Sequence, residues 1–417
     1  MTAILVPFIA LYTAVLTLMM GIGLLNTFLS LRMTLEGYST QTTGLVLTAY
    51  YVGLILGNFL CYSLIRRVGH IRAFAAFAAM TTTMIMLHGL FMSPLSWALL
   101  RFITGVVTFG LYTVIESWLN ECTPANARGR VFSIYLVMCY LGISIGQQLL
   151  RAGDPLDHTL FLISGLFVAL CIVPIAVTRS IHPELPGLGH FRMGRLIRKA
   201  PVGVMGCLAA GLINSSVYAM GPVFGHLIHL SVSQISVFMS ACILGGLLLQ
   251  WPVGIISDRF DRAFVLFFLA LILALFCPVV ILAAGISYPA LIAAITCFGG
   301  LVFAIYPVSV ARTYDLFGSK ESVQVSSALI FAYGLGAAAG PALSSGVMAL
   351  SGKPHGFFLY IAAVSTLYAG ITLFLKKTER IQVVPVDKQV DFMALRSTST
   401  VAVHQDPRTQ PMDGNNP

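Results

Sequence analysis

The amino-acid sequence predicts an all-α polytopic membrane protein with twelve transmembrane helices in two six-helix halves and both termini in the cytoplasm. Of its 417 residues, 58% are hydrophobic and 9% are charged, whereas about a quarter of the residues in soluble domains are charged. Apolar runs long enough to cross a hydrocarbon core of about 30 Å recur along nearly the whole chain. Continuous runs indicate helices, because the strands of a membrane barrel alternate in polarity over about ten residues.

Twelve apolar runs follow one another along the chain. They cover residues 4–31, 41–65, 73–93, 95–120, 131–150, 159–178, 201–228, 233–256, 263–284, 288–311, 322–350 and 357–375. The first run is too long for the core of a signal peptide and no basic residue precedes it, so we interpret it as a retained span. The eight cysteines include no CxxC motif, which indicates neither a disulfide framework nor a metal site. We expect no metal and no cofactor.

Basic residues concentrate at every second connection between the spans and in the tail. Of the 24 lysines and arginines, the exceptions are Arg32, Arg151 and Lys353 at the other connections and Arg101 within a span. The positive-inside rule then places both termini in the cytoplasm. The net charge of +9 therefore reflects membrane topology, and it predicts anionic lipid headgroups rather than nucleic acid as partners.

The sequence also repeats itself at about half its length. Asn26 in GLLNTF and Asn214 in GLINSS lie 188 positions apart, and the glycine spacing of GISIGQ (142–147) recurs in GAAAGP (336–341). At an offset of 192, Ser39, Gly53, Asn58 and Arg67 correspond to Ser231, Gly245, Gln250 and Arg259. Such repetition is typical of transporters built from two related halves.

The repeat sets the predicted domain boundaries. We expect a first helical bundle over 1–178, a cytoplasmic linker over 179–200, a second bundle over 201–375 and a disordered cytoplasmic tail over 376–417. The linker sequence contains two prolines, with a third at Pro201 directly after it, three glycines and several basic residues, so we expect it to lie along the inner surface. The tail is polar and contains prolines, which favours disorder.

Several motifs resemble those of the major facilitator superfamily. GIISDRFDR (254–262) is similar to the signature loop of that family, and RFITG (101–105) is similar to its RxxxG element in the fourth span. GLLNTFLSLR, AYYVGLILGN, RRVGHIRAFAA, ESWLNE and YPVSVARTYD resemble the YcaD-like branch in particular. The resemblance implies the fold of that superfamily, in which spans 1, 4, 7 and 10 line a central cavity.

Polar side chains at bilayer depth are the candidate substrate-binding residues. Arg101 is a charge within a span, where each charge costs at least ~2.5 to 3.5 kcal/mol. It could bind an anionic group of a substrate, or instead reach the interface or backbone carbonyls of a neighbouring helix. Asn26 and Asn214 fall on spans that the resemblance assigns to the cavity. The alternative for each amide is a hydrogen bond between helices of roughly 0.6 to 2 kcal/mol.

Four further residues complete the predicted substrate site. Gln147 and Gln148 follow the glycines of span 5, and we expect at least one of them to face the cavity. Tyr218 lies one helical turn beyond Asn214, and Tyr306 lies in span 10. Both tyrosines could supply aromatic walls and hydroxyl groups, or they could belong to the packing between helices.

The repeat also predicts two ion pairs on the inner side, with their signs exchanged between the halves. Arg66 and Asp258 occupy matching loop positions, while Glu116 and Arg312 occupy matching positions in spans 4 and 10. We predict the gating ion pairs Arg66–Glu116 and Asp258–Arg312, which would form when the inner side closes and break when it opens. The alternative is a set of solvated interfacial charges worth ~0 to 1 kcal/mol.

These observations predict a secondary active transporter of a small organic solute, which works as a monomer by alternating access across the inner, cytoplasmic membrane. Proton coupling, through Glu116, and uniport both remain open. The chain contains no nucleotide-binding fingerprint, so pumping driven by hydrolysis is not indicated. The alternatives are a membrane sensor or scaffold that binds a ligand without translocating it, and a membrane enzyme acting on lipid. We expect no catalytic site, because no cluster of nucleophile, base or metal ligands is found at the interface.

Overall fold

The computed structural model describes residues 8–123, 127–177, 193–317 and 321–378, together with Gln389 and Phe392. Within these residues, twelve helices are long and apolar enough to cross a membrane, which confirms the predicted number of spans. They are α1 (Ile9–Leu35), α2 (Thr40–Val68), α3 (His70–Leu90), α4 (Pro94–Cys122), α5 (Arg128–Gln148), α6 (Thr159–Ala176), α7 (Pro201–Leu227), α8 (Val232–Arg259), α9 (Arg262–Ile286), α10 (Tyr288–Tyr314), α11 (Ser322–Ser351) and α12 (Gly356–Thr378).

Matching serines begin α2 and α8. The Ser39 hydroxyl accepts a hydrogen bond from the backbone N–H of Thr42, and the Ser231 hydroxyl accepts one from that of Gln234. A serine at this position satisfies one of the backbone donors that the first helical turn leaves without a partner. The predicted correspondence at an offset of 192 residues is therefore also a correspondence of structural role.

Close contacts between helices repeat in the two halves. A Cβ atom at Gly105 of α4 would lie 2.0 Å from the Tyr50 carbonyl oxygen of α2, and one at Gly299 of α10 would lie 1.9 Å from the Cys242 carbonyl oxygen of α8. Real side chains cannot approach so closely, so only glycine permits these two crossings. The crossing of α2 and α4 is thus repeated by the crossing of α8 and α10.

The glycine spacing shared by spans 5 and 11 has the same explanation. A Cβ atom at Gly146 of α5 would lie 2.3 Å from the Met20 carbonyl oxygen of α1, and one at Gly336 of α11 would lie 2.1 Å from the Leu208 carbonyl oxygen of α7. In each half, the fifth helix therefore packs closely against the first. Together the two kinds of crossing confirm the predicted architecture of two six-helix halves.

Hydrogen bonds join the two halves near the middle of the helices and on the predicted outer side. Near the predicted outer ends, Gln148 Nε2 of α5 donates to Ser240 Oγ of α8 over 2.6 Å, and Arg151 Nε donates to Ser236 Oγ over 2.9 Å. Deeper in the molecule, Gln250 Nε2 donates to the Tyr140 hydroxyl over 2.8 Å. We call the four residues Gln148, Arg151, Ser236 and Ser240 the outer brace.

Most residues of the predicted linker and tail, 179–192 and all of 379–417 except Gln389 and Phe392, lie outside the described residues. In the linker, a short helix covers Met193–Lys199 and precedes α7. In the tail, the Phe392 backbone N–H donates to Asp258 Oδ1 over 2.9 Å, and the Phe392 ring contacts Gly254. Disorder of the tail stays a prediction.

Candidate functional site

A central cavity lies between the two halves. It contains about 1210 Å³ of space free of protein atoms, including the part that opens to solvent. Residues of α1, α2, α4, α5, α7, α10 and α11 line it, so both halves contribute to its walls. None of these lining residues is charged.

Side-chain amides form the polar part of the cavity wall. The amides that line the cavity are those of Asn26, Asn58, Gln147 and Asn214. Gln147 is fully buried, yet neither its oxygen nor its nitrogen has a hydrogen-bond partner among the described residues; Asn214 Oδ1 and Asn58 Oδ1 also have none. Burying an amide without a partner costs about 1–3 kcal/mol in proteins. These amides thus contribute polar atoms without partners, among the described residues, to the wall of the cavity.

Arg101 lies behind this wall rather than in it. Its Nη2 donates to Asn26 Oδ1 over 2.8 Å, and its guanidinium carbon lies 4.4 Å from the centroid of the Tyr50 ring. Arg101 is 3% exposed and is not among the residues that line the cavity. The structure therefore brings the predicted residues Asn26 and Arg101 together, but it places Asn26 between the arginine and the cavity.

Aromatic rings form most of the remaining wall. The lining rings are those of Tyr50, Tyr51, Tyr112, Tyr140, Tyr218, Tyr306 and Tyr333 and of Phe109, Phe303 and Phe331. The Tyr218 and Phe303 rings are 5.6 Å apart between centroids, and the Tyr306 and Tyr333 rings meet edge to face at 5.1 Å. Rings at these separations stabilise each other's positions. The predicted residues Tyr218 and Tyr306 thus both reach the cavity.

Gln148 does not line the cavity, so its assignment to the substrate site is wrong for this conformation. Its amide nitrogen donates to Ser240 Oγ and to the Ser236 carbonyl oxygen of α8, over 2.6 and 3.1 Å. Successive residues of a helix point about 100° apart, so the neighbour of a cavity-lining glutamine points elsewhere. Here it points across the boundary between the halves.

The structure gives other partners to the carboxylates of the two predicted gating pairs. Glu116 is fully buried and accepts a hydrogen bond from the Tyr135 hydroxyl over 2.9 Å, whereas Arg66 is exposed at the end of α2. Asp258 pairs with Arg262, one helical turn further along the chain, over 2.6 Å rather than with Arg312. In both cases a nearer partner binds the carboxylate. The predicted pairs are therefore corrected for this conformation.

Arg262 organises the turn between α8 and α9 on the predicted inner side. Its guanidinium is fully buried and also pairs with Asp315 at the end of α10. Next to it, Asp261 Oδ2 accepts a hydrogen bond from Lys376 Nζ over 2.7 Å. Burial alone would raise the pKa of Asp261, but hydrogen bonds from Lys376 and from the Ala263 backbone outweigh it and lower that pKa. Ion pairs thus connect the turn between α8 and α9 to the end of α10 and to α12.

Sequence reasoning missed much of the second helix. Tyr51, Leu54, Ile55 and Asn58 all line the cavity, and their spacing of three, four and seven residues puts them on one helical face. The polar residue Asn58 lies two helical turns from the aromatic residue Tyr51 on that face, and this spacing was the sequence signal for a cavity-lining surface. The tyrosines of α4, α5 and α11 carry no such signal, because an isolated tyrosine in an apolar run equally suits packing.

Comparison with known proteins agrees with this architecture. A family model described as the Major Facilitator Superfamily matches residues 11–341 and, in a second match, residues 205–400. The chain belongs to the major facilitator superfamily. A protein of Escherichia coli O17:K52:H18 named uncharacterized MFS-type transporter YcaD is 29% identical over 367 residues, which are 87% of this chain and 94% of that protein. The resemblance to the YcaD-like branch is thereby confirmed.

Solved structures of this superfamily share the fold. The nucleoside transporter NupG superposes with a TM-score of 0.76 at 13% identity, covering 89% of this chain and 99% of that one. A bacterial homolog of the human lysosomal transporter Spinster superposes with a TM-score of 0.69 at 14% identity, covering 92% and 98%. At these identities the likeness concerns the fold. The chain is a multi-pass membrane protein of a transporter superfamily.

Proposed function

We propose that this protein is a secondary active transporter that moves a small organic solute across the cytoplasmic membrane by alternating access. The observation that carries this proposal is the central cavity between two repeated halves, in which Gln147 and Asn214 present amide atoms without partners among the described residues. A site at the boundary between repeats can be exposed to either side when one half rocks against the other. The relative from Escherichia coli is named as a transporter, which agrees with this interpretation.

The outer brace supplies the contact that must break during the cycle. Its hydrogen bonds connect α5 to α8 at the predicted outer ends, so the structure corresponds to a state in which the outer side is held together. Opening that side requires these bonds to be replaced by others. We propose that the gating pairs predicted from the sequence, Arg66–Glu116 and Asp258–Arg312, belong to the opposite state of the cycle.

Glu116 is the carboxyl group that we propose for proton coupling. It lies one helical turn beyond Tyr112, which lines the cavity, and its side chain is fully buried. A buried carboxyl can bind and release a proton as its surroundings change during the cycle. Without coupling at Glu116 the protein would be a uniporter.

The test of transport does not require a known substrate. Purified protein is reconstituted into vesicles, which are incubated with a mixture of small organic solutes, washed and analysed by mass spectrometry. We expect at least one solute to accumulate relative to protein-free vesicles, and to be lost on the double substitution Gln147→Leu and Asn214→Leu. Accumulation of no solute, together with saturable binding of one of them, would favour a ligand sensor instead.

A further inference from the structure

We propose that the cavity selects a planar aromatic heterocycle that presents a hydrogen-bond donor beside an acceptor and carries no positive charge. This inference rests on the proposed function, since it names the substrate class of the same cavity. Three observations carry it: the aromatic walls, the partnerless amide of Gln147 within the described part of the chain, and the location of the nearest arginine.

The walls favour a flat ring. Seven tyrosines and three phenylalanines line the cavity, from α2, α4, α5, α7, α10 and α11, so a molecule inside meets aromatic faces from both halves. Stacking of a planar ring on an aromatic side chain strengthens binding, and it does so for any ring with an exposed π-face. An aliphatic solute offers no π-face and lacks that gain.

The Gln147 amide determines which hydrogen-bonding groups the edge of the bound ring must carry. Its nitrogen and its oxygen are both buried, and both lack a partner among the described residues. A carboxamide carries a donor next to an acceptor. It can therefore form two hydrogen bonds with a ring edge that places an acceptor opposite the amide N–H and a donor opposite the amide oxygen, as glutamine does with adenine. Asn214 Oδ1, across the cavity in the other half, provides a further acceptor.

The charge preference follows from Arg101. Its side chain is buried and contacts two lining residues, Asn26 and Tyr50. Its Nε and Nη1 have no hydrogen-bond partner among the described residues. The lining residues themselves supply no carboxylate. A buried positive charge behind the wall repels a cation in the cavity more strongly than it would in water, because the effective dielectric constant is lower.

Binding to the purified full-length protein tests the proposal with matched ligand pairs. Uracil and xanthine are each compared with their N-methylated forms, 1,3-dimethyluracil and caffeine, which keep the ring but lack the N–H donors. Nicotinamide is compared with 1-methylnicotinamide, which carries a positive charge. We expect at least one of the three parent compounds to bind, and its methylated partner to bind about ten- to hundredfold more weakly.

The variant Gln147→Leu tests whether Gln147 causes the preference for the ligand that carries the N–H group. In Gln147→Leu, a parent such as uracil or xanthine should bind only as well as its methylated partner, because the amide oxygen that accepts from the ligand N–H is gone. Retained binding of the methylated form also shows that the variant is folded. If Gln147→Leu keeps the full preference for the N–H form, the assignment of the edge to Gln147 is overturned.

Binding and uptake of the same ligands distinguish an error in the substrate class from an error in the proposed transport function. Failure of all three parents to bind at about 1 mM, with binding and vesicle uptake of glucose, leucine or citrate, would overturn the substrate class and leave the transporter standing. Saturable binding of a parent without uptake would overturn the transporter and leave the chemistry of the cavity standing. Equal binding of nicotinamide and 1-methylnicotinamide would overturn the charge preference.

Discussion

Single residues of the cavity carry polar groups that the surrounding helices do not satisfy. Gln147 and Asn214 keep hydrogen-bonding atoms without partners in the described structure, and Arg101 is buried with Asn26 Oδ1 as a hydrogen-bond acceptor. Such groups reduce the stability of a protein, because each gives up its contact with water. Their retention beside a cavity is expected when a bound molecule supplies the missing contacts.

The contact between Asn26 and Arg101 gives a prediction about stability. Asn26→Leu removes the acceptor and leaves more of a buried guanidinium without a partner, so we expect the free energy of unfolding to fall by about 1–3 kcal/mol. Asn26→Asp keeps an acceptor at the same place and serves as the matched control. Thermal unfolding of the detergent-purified variants measures both. A melting temperature for Asn26→Leu equal to that of the wild type would contradict the structural role given to this contact.

Glu116 gives a prediction about pH dependence. If Glu116 carries the coupling proton, a pH gradient should no longer increase the rate of uptake by Glu116→Gln. Exchange of labelled for unlabelled solute at equal pH should persist in this variant. The reason is that glutamine can accept the hydrogen bond from Tyr135 but cannot exchange a proton. Tyr135→Phe is the control that removes this hydrogen bond and keeps the carboxyl. Gradient-driven uptake by Glu116→Gln at the wild-type rate would exclude coupling through this residue.

Among the helices, glycine determines how closely the elements of each half approach. The crossing at Gly105 and the crossing at Gly299 occupy equivalent places in the two halves, and each leaves no room for a methyl group. The repeat detected in the sequence is therefore a repeat of helix packing. It also explains why the repeated positions include glycines and a capping serine that lie outside the cavity.

Alanine substitutions test these crossings. Gly105→Ala and Gly299→Ala should each lower stability by about 1–3 kcal/mol or more, because the helix backbones must move apart. Gly285→Ala in α9 is a matched control, since no atom lies within 4 Å of the added methyl group. Thermal unfolding measures all three variants, and similar melting temperatures for all of them would refute the proposed packing.

The turn before α9 gives a further prediction about how the elements are held together. Because the pKa of Asp261 is lowered from 3.8 in the folded protein, the ion pair with Lys376 contributes stability above that value and loses it as the pH falls through the lowered pKa. Asp261→Asn can keep the cap on the Ala263 backbone but lacks the charge. The difference in melting temperature from the wild type should be constant between pH 8 and pH 5 and shrink below about pH 3.8. A difference that grows with acidity would contradict the stabilising role of this ion pair.

In the whole molecule, much of the architecture was predictable and the pairing of side chains was not. The number of spans follows from apolar length, and the two halves follow from repeated motifs. Side-chain direction is different, because the neighbours Gln147 and Gln148 share the same sequence surroundings and reach different targets. The predicted pair Asp258–Arg312 is replaced in this conformation for a related reason: Arg262, one turn from Asp258, is a closer partner than a residue on another helix.

Alternating access requires the two halves to separate on the outer side, and a crosslink can prevent that separation. Gln148 and Ser240 are in contact across the boundary, so Gln148→Cys with Ser240→Cys should permit a crosslink there. Of the eight native cysteines, six are buried, and Cys122 and Cys297 can be replaced by serine to avoid side reactions. The single variant Gln148→Cys, oxidised in the same way, is the control.

The decisive experiment is solute uptake into vesicles by the crosslinked protein, before and after addition of a reductant. We expect uptake to fall to the level of protein-free vesicles when the outer brace is crosslinked and to recover on reduction. Uptake that continues at the uncrosslinked rate, with the crosslink verified on the same sample, would contradict alternating access through this cavity.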